Sequence, residues 1–424
     1  MRAALDTKPL EKTARAMERI IAHRKADPTR LKSEIMYFEL SLEHLRAMMT
    51  AREEGKTLAG ITVLGPCEIC YAMDIIPYYI DVFSGYTSQF LGLSEDYFAA
   101  SKSLGLSSEI CSVHRLMAAY FMLGHAPLTD VIILTSGVCD HTAMSGDIST
   151  YFHGCPSFFV DRPYHSDEHS ARYLKGELER LIHGLEDLTG RKMDYDRLRE
   201  VMAFRQREIE LYREINELRK AVPCPTLNGT SLNMAALGYY LSGTQKMVDY
   251  LEAIRDEARE NVQKGKGAYA EENYRLMWLM VPPAYSGAVE WMGKKRGAVE
   301  VINPYFDDWG DKLEIDPRKP LDSLVTITMN RNVLRPMEGP LADTTVVDVV
   351  RDAKDYQIDG AIYFAHCGCR IADGCIRILK DTLMKETGIP MTIVDFDVFD
   401  TTYVTGKEII NKLECFFELL DDRK

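Results

Sequence analysis

The strongest constraint on this chain lies near its C-terminal end. Ala361, Ile362, Tyr363, Phe364 and Ala365 form an uninterrupted apolar run after the turn at Asp359 and Gly360. So short a run, bounded by a turn, reads as a strand buried on both faces. It ends in Cys367, Gly368 and Cys369; a helical pattern then continues through Lys385 until Gly388 and Pro390 stop it. A second apolar strand runs from Met391 to Val394. Strand, helix and strand at this spacing form a parallel crossover, and parallel sheets need helices over both faces. Ligands in such folds lie at the carboxyl ends of the strands, where these cysteines stand.

The same alternation recurs upstream. Strands are predicted at Ile61–Gly65, Ile76–Ile80, Val131–Thr135 and Ser157–Pro163, and again at Leu276–Val281 and Ala298–Ile302. Pro66 opens a helix at an early position, where a missing N–H costs nothing. Residues 84–110 are a polar excursion with short helices, and a helix is predicted from Ser112 to Leu123. Residues 8–56 are helical in pattern, broken at Pro28 and ended by Gly55. Residues 166–222 carry a charged helical pattern, and one further helix is predicted from Leu232 to Gln263. The last helix is predicted from Gly406 to Leu420. The fold class is α/β, with two doubly wound, flavodoxin- or Rossmann-like parallel sheets. The boundaries are a helical N-terminal segment (1–56), a first α/β domain (57–165), a helical connecting region (166–270) and a second α/β domain (271–424). The two α/β parts suggest a repeat at the level of fold, without internal sequence identity.

Composition narrows the function. A net charge of −13 argues against a nucleic-acid groove or an anionic membrane as the main partner. No apolar run reaches the roughly 18–20 residues that cross a bilayer. The start, Met1 to Thr7, has no apolar signal core, so a cytoplasmic location is expected. In a reducing compartment the ten cysteines are thiols, metal ligands or redox groups, not a disulfide framework. Most would pack as small core hydrophobes.

Three cysteines stand where chemistry would need them: Cys111 before a helix, Cys139 after a buried strand, and one of Cys367 or Cys369 after another. Backbone N–H groups at helix starts favour the thiolate, the form that binds metals. Soft thiolates select iron–sulfur clusters or zinc; three core thiols is the competing reading. Cys67 and Cys70 form a CxxC at a strand-to-helix turn, a redox pair or two packed thiols. Glu68 is either an ordinary charge at a helix start or a base in the strand-end cleft. His114, His141 and His366 lie beside the cysteines in sequence, as proton donors or structural imidazoles. Glu68 and His141 are the catalytic candidates. Asp140 and Asp397 are caps or cleft carboxylates. Neither GxGxxG nor a Walker A motif is present, so NAD or ATP binding by those means is not indicated.

Taken together these residues resemble the catalytic subunits of the 2-hydroxyacyl-CoA dehydratase and benzoyl-CoA reductase family. The resemblance runs from Ala51 onward. It rests on Pro66 and Glu68 after the first strand, Ile110–Cys111–Ser112, the strand ending in Val138–Cys139–Asp140, Lys264–Gly267, Glu271–Leu276, and Asp359–Tyr363. Cys369 lies 19 residues before Gly388, and this register matches it, rather than Cys367, to the family's third cluster cysteine. The resemblance implies a [4Fe-4S] cluster held by Cys111, Cys139 and Cys369, with its fourth iron position left to a small ligand or the substrate. It implies an oxygen-sensitive lyase that removes water from a 2-hydroxyacyl-CoA through a ketyl radical. It implies a second homologous subunit in a heterodimer and a separate ATP-dependent iron–sulfur activator protein. Reduction of an aromatic acyl-CoA, as in benzoyl-CoA reductase, is the alternative reaction, and a non-catalytic partner subunit or a zinc or thiol-redox protein are alternatives of another class. This chain differs from the family pattern at Cys67, at Thr62 and Val63, at His141–Met144 and at Cys367, all near the expected cluster.

Overall fold

The computed structural model describes residues 4–137, 139–283, 286–307, 313–330 and 345–423, with Asp140 described by its backbone alone. Two helices lead, α1 (Lys8–Ala26) and α2 (Lys32–Thr50). The first α/β region follows as β1 (Thr57–Ile61), α3 (Cys67–Ala72), β2 (Ile75–Tyr79), α4 (Ile80–Leu91), α5 (Ser94–Ser103), α6 (Ser112–Met122), β3 (Val131–Thr135), α7 (Asp140–His153) and β4 (Ser157–Val160). Four helices come next: α8 (Glu168–Thr189), α9 (Tyr195–Arg219), α10 (Thr230–Leu241) and α11 (Gln245–Gln263). The second α/β region is β5 (Tyr274–Leu279), α12 (Ala288–Arg296), β6 (Ala298–Ile302), α13 (Pro320–Asn330), α14 (Thr345–Asp355), β7 (Gly360–His366), α15 (Arg370–Asp373), α16 (Ile376–Thr387), β8 (Met391–Phe396) and α17 (Gly406–Asp421).

The architecture is α/β with two four-stranded sheets, ordered β2-β1-β3-β4 and β6-β5-β7-β8. Their described pairings are parallel. Each sheet therefore has the same winding: its first strand lies inside, its second lies outside, and the chain crosses back to add the third and fourth. The order reverses between β1 and β3 in one sheet and between β5 and β7 in the other. Connections leave in opposite directions at such a point, which opens a crevice at the carboxyl ends of the strands.

By contact density the chain forms two compact units. The first is Met1–Ile209 with Ala236–Tyr250 and Lys312–Met329. The second is Glu210–Ala235 with Leu251–Asp311 and Asn330–Lys424. In the second unit the core forms around β7, buried along its whole length, and the apolar positions of β5 and β6, which also bury Arg275 and Glu300. Trp278 meets Phe364 edge to face at 5.4 Å, and Tyr363 donates its hydroxyl to Ala372 O at 2.7 Å.

Three expectations are corrected. The strand expected over residues 61–65 ends at Ile61, and residues 62–65 are a turn in which Gly65 N donates to Thr62 O at 2.8 Å. Leu64 takes φ 67°, which no strand tolerates. The helix expected over residues 232–263 is broken between α10 and α11, where Gly243 has φ 83°. Helices α13 and α14 fall in a stretch that the sequence pattern left without elements. Among the described residues, no helix is long and apolar enough to cross a membrane.

Candidate active site

In the first unit, the turn after β1 and the end of β3 meet at the reversal of strand order. Thr135 Oγ1 lies 2.5 Å from Val63 O, and Thr135 N donates to Thr62 Oγ1 at 3.2 Å, so the two strand ends are tied together. The turn delivers Pro66 to the start of α3 and places Glu68 in its first turn. Glu68 is 1% exposed. Its Oε1 forms an ion pair with Arg205 Nε at 3.1 Å, and Arg205 is paired in turn with Glu208. Glu208 Oε1 accepts from Gly243 N at 2.7 Å, and Arg205 Nη1 donates to Ser242 Oγ at 2.9 Å. Burial works against the Arg205 charge, and Glu208 and Glu68 more than restore it. Glu68 is thus part of a buried carboxylate–guanidinium–carboxylate chain that sequence reasoning missed, because its members come from distant helices.

Cys67 and Cys70 are buried. The Cys67 thiol lies 3.6 Å from both Glu68 Oε2 and Ser242 O. Burial, and then the Glu68 charge, pushes the Cys70 thiol far above its ordinary range. A redox CxxC needs the opposite shift, so the packed-thiol reading fits this pair.

Cys111 is the N-cap residue of α6 and Cys139 that of α7, two helices that pack on each other. Their thiols sit at the starts of helices of 11 and 14 residues, where the positive ends of the peptide dipoles gather. Cys139 Sγ is 3.3 Å from His114 Nε2, and His114 Nδ1 is 3.1 Å from Ser145 Oγ. The His141 ring meets the His114 ring edge to face at 6.0 Å. Burial raises the Cys139 thiol above its ordinary value, and the Thr142 hydroxyl and the amides of Thr142 and His141 pull it back. Donors directed at a sulfur in this way suit a thiolate bound to a metal, so Cys139 fits a thiolate donor of an iron–sulfur group.

Asp81, in the first turn of α4, is a second group that the sequence reading passed over. It is 7% exposed, its Oδ1 has no hydrogen-bond partner among the described residues, and burial pushes its carboxyl up to about 7. Its signal was available: an acid directly after the apolar run of β2.

In the second unit, β7 ends in His366, followed by Cys367 and Cys369. Cys369 N donates to His366 O at 2.8 Å, which closes a tight turn and makes Cys369 the N-cap of α15. Cys369 is partly buried and Cys367 exposed. Asp397, just after β8, is both things that the sequence allowed. Its Oδ1 accepts from the amides of Phe399 and Asp400 at 2.9 and 2.8 Å, a cap, while Oδ2 faces Cys367 Sγ at 3.6 Å. The side chain of Asp140, the other carboxylate in question, lies outside the described residues, as does Val138.

Comparison with known proteins gives this geometry a context. Residues 62–420 match the family described as 2-hydroxyglutaryl-CoA dehydratase, D-component. The chain is similar to the (R)-phenyllactyl-CoA dehydratase alpha subunit of Clostridium sporogenes, at 21% identity over 91% of this chain and 95% of that one. It is similar to the (R)-2-hydroxyisocaproyl-CoA dehydratase alpha subunit of Clostridioides difficile, at 21% identity over 93% of this chain and 97% of that one. It is also similar to a benzoyl-CoA reductase subunit of Thauera aromatica, at 23% identity over 70% of this chain and 72% of that one.

Proposed function

The chain belongs to the 2-hydroxyglutaryl-CoA dehydratase, D-component family, and from that premise we propose that it is the iron–sulfur subunit of a lyase that eliminates water from a 2-hydroxyacyl-CoA. The observation that carries this reading is the Cys139 thiol at the reversal of strand order, beside His114 Nε2 at 3.3 Å and under two backbone amides. Cys111, Cys139 and Cys369 are the thiolates proposed to hold a [4Fe-4S] cluster. Three protein thiolates leave one iron position for a substrate oxygen, as catalytic metal sites keep a position open. Bound there, the cluster would supply a low-potential electron to a thioester carbonyl.

The chain's own residues have narrower tasks. His114, braced by Ser145, orients the Cys139 sulfur. His141, in the first turn of α7, is proposed to carry a proton. Glu68 is proposed as the second proton-handling group, and its pairing with Arg205 means that any such role runs through a buried ion network. The names of the relatives describe subunits of larger enzymes, which supports a second subunit as partner; a separate ATP-dependent iron–sulfur activator is proposed beside it as the source of the electron. A cytoplasmic location accords with that assembly. The benzoyl-CoA reductase relative favours a second reading, reduction of an aromatic acyl-CoA.

Anaerobic purification followed by iron and sulfide analysis tests the proposal. The expected content is about four irons and four sulfides per chain. Cys111→Ser, Cys139→Ser and Cys369→Ser should each deplete both, while Cys70→Ser should not. A wild-type chain without iron and sulfide overturns the reading. With the activator and partner present, turnover of a 2-hydroxyacyl-CoA without net electron use supports the lyase; stoichiometric electron consumption supports the reductase.

A further inference from the structure

At the carboxyl edge of the second unit's sheet, three different donor types converge on one point. His366 is the last residue of β7, Cys367 follows it, and Asp397 follows β8. The strands pair in register Ala365 with Asp395 and His366 with Phe396, and Cys367 N donates to Phe396 O at 3.0 Å. That pairing forces the three side chains into one place. Asp397 Oδ2 is 3.6 Å from Cys367 Sγ and 3.9 Å from His366 Nδ1, and the three ligand atoms all lie within 4.8 Å of one another.

These separations can be compared with what a metal requires. Ligands bonded to zinc at about 2.0–2.3 Å sit about 3.3–3.8 Å apart along the edges of a tetrahedron. The sulfur–oxygen pair, at 3.6 Å, already has that spacing; the nitrogen–oxygen pair, at 3.9 Å, has to close by about half an ångström, and the sulfur–nitrogen pair, within 4.8 Å, by up to about 1.3 Å. The donors are also held. Asp397 Oδ1 is fixed by the amides of Phe399 and Asp400, which leaves Oδ2 aimed at the trio. Val398 N donates weakly to His366 Nδ1 at 3.4 Å, which makes that nitrogen the unprotonated acceptor of the ring, and a metal would take its lone pair in place of this long hydrogen bond. His366 and Asp397 are 4% and 1% exposed, while Cys367 is exposed, so the site is walled by protein and opens toward solvent through the thiol.

We propose that His366, Cys367 and Asp397 form a binding site for a borderline divalent cation, zinc foremost, separate from the cluster cysteines. One nitrogen, one sulfur and one oxygen supply three positions of a tetrahedron and leave the fourth for water or a substrate oxygen. Octahedral cations that prefer oxygen would be disfavoured by the thiolate. The site does not depend on the iron–sulfur reading, and it gives Cys367 a task distinct from that of Cys369.

The test uses the full-length chain, purified anaerobically and reduced with its iron and sulfide retained, and freed of loosely bound divalent ions by brief dialysis against a chelator. Zinc is titrated in competition with a chromophoric chelator, and cobalt(II) serves as a spectroscopic probe. One zinc per chain is expected, with cobalt giving a thiolate charge-transfer band. Cys367→Ser and Asp397→Asn should each weaken zinc at least about tenfold, and Cys367→Ser should abolish the band. Asn keeps an oxygen for the two amides of the turn, so Asp397→Asn tests the ligand without removing the cap. Cys369→Ser and Cys415→Ser should bind zinc as the wild type does. The proposal fails if the wild type takes no zinc, if Cys367→Ser and Asp397→Asn bind normally, or if Cys369→Ser removes the metal equally. Iron and sulfide analysis of reconstituted protein is read separately: loss of zinc with a full cluster sinks this site alone, and zinc binding by a chain that cannot hold iron sinks the cluster alone.

Discussion

Removing Arg205 and removing Glu68 should have very different consequences, although the two form one ion pair. Arg205 is buried with two carboxylates, Glu68 and Glu208, which are 1% and 0% exposed. Arg205→Met would leave two buried acids facing each other without a cation. Stranding one buried charge costs about 3–5 kcal/mol, so the upper part of that range is expected here. For a unit of this size that loss corresponds to a melting temperature lower by roughly 10 °C or more. Glu68→Gln leaves Arg205 paired with Glu208 and removes the carboxylate repulsion that adds to burial in raising Glu208. Its expected cost is about 1 kcal/mol or less. In the Arg205→Met background the sign should reverse, because Glu68→Gln then removes a stranded acid, so the double variant should melt above the single one. Thermal melts of the four proteins, followed by circular dichroism, form a double-mutant cycle that reads this coupling. Equal losses from Arg205→Met and Glu68→Gln, or a double variant less stable than Arg205→Met, would refute the charge-balance argument. The same variants bear on function: a large loss of turnover in Glu68→Gln with little change in melting temperature assigns the carboxylate a proton-handling role.

Three further outcomes follow from single sites. His44 is buried, its Nε2 is 2.6 Å from Pro77 O, and burial lowers it from 6.5 to about 4. The native state therefore prefers the neutral ring: the contribution is complete above pH 6.5 and is lost as pH falls through about 4, amounting to about 3 kcal/mol. Denaturant midpoints between pH 4 and 8 should show this acid limb, and His44→Phe, which keeps the ring packing against Tyr240 and Phe83, should flatten it. Gly243 has φ 83°, and a Cβ there would lie 2.5 Å from Val201 Cγ1, so Gly243→Ala should cost about 2 kcal/mol or more in the same denaturant assay. Thr405 caps α17 by accepting from Glu408 N at 3.3 Å while Glu408 reaches back to Thr405 N at 2.8 Å. Thr405→Ala should cost about 1 kcal/mol, and Thr405→Ser should restore most of it.

What the sequence made legible was whatever is local. The apolar runs of β3 and β7 announce themselves because a strand buried on both faces has no polar position to confuse the pattern. The helix stop at Gly388 is equally plain, since it adopts the left-handed conformation that suits glycine. The break at Gly243 was missed because Ser242, Gly243 and Thr244 interrupt a strong helical period by less than one turn. Leu64 was read into a strand because nothing in its side chain reports a positive φ. The partners of Glu68 were invisible for a different reason: Arg205 and Glu208 reach it through tertiary packing, which no periodicity encodes. Cys367 and Cys369 were seen as alternatives for one task, whereas the register of β7 on β8 places Asp397 beside Cys367.

The two sheets share more than their strand order. Immediately after the first strand of each, a residue other than glycine is held at positive φ: Leu64, three residues beyond β1, and Met280, directly after β5. Such a conformation costs about 1–3 kcal/mol and persists only where the surroundings fix it. Both side chains are buried, at 4% and 6% exposure, so each strained backbone is anchored by apolar packing. Each is also braced by a polar side chain at the end of a neighbouring strand: Thr135 reaches Val63 O at 2.5 Å, and Asn303 donates to Met280 O at 3.0 Å. Glycine would relieve the torsion but lose the anchor, and would free the turn that sets the direction of the following segment. The strain is therefore the cost of steering the chain sharply out of the sheet at the point where strand order reverses. In the first unit that steering is what brings Glu68 into its ion network and keeps the end of β1 tied to the end of β3, from which Cys139 follows.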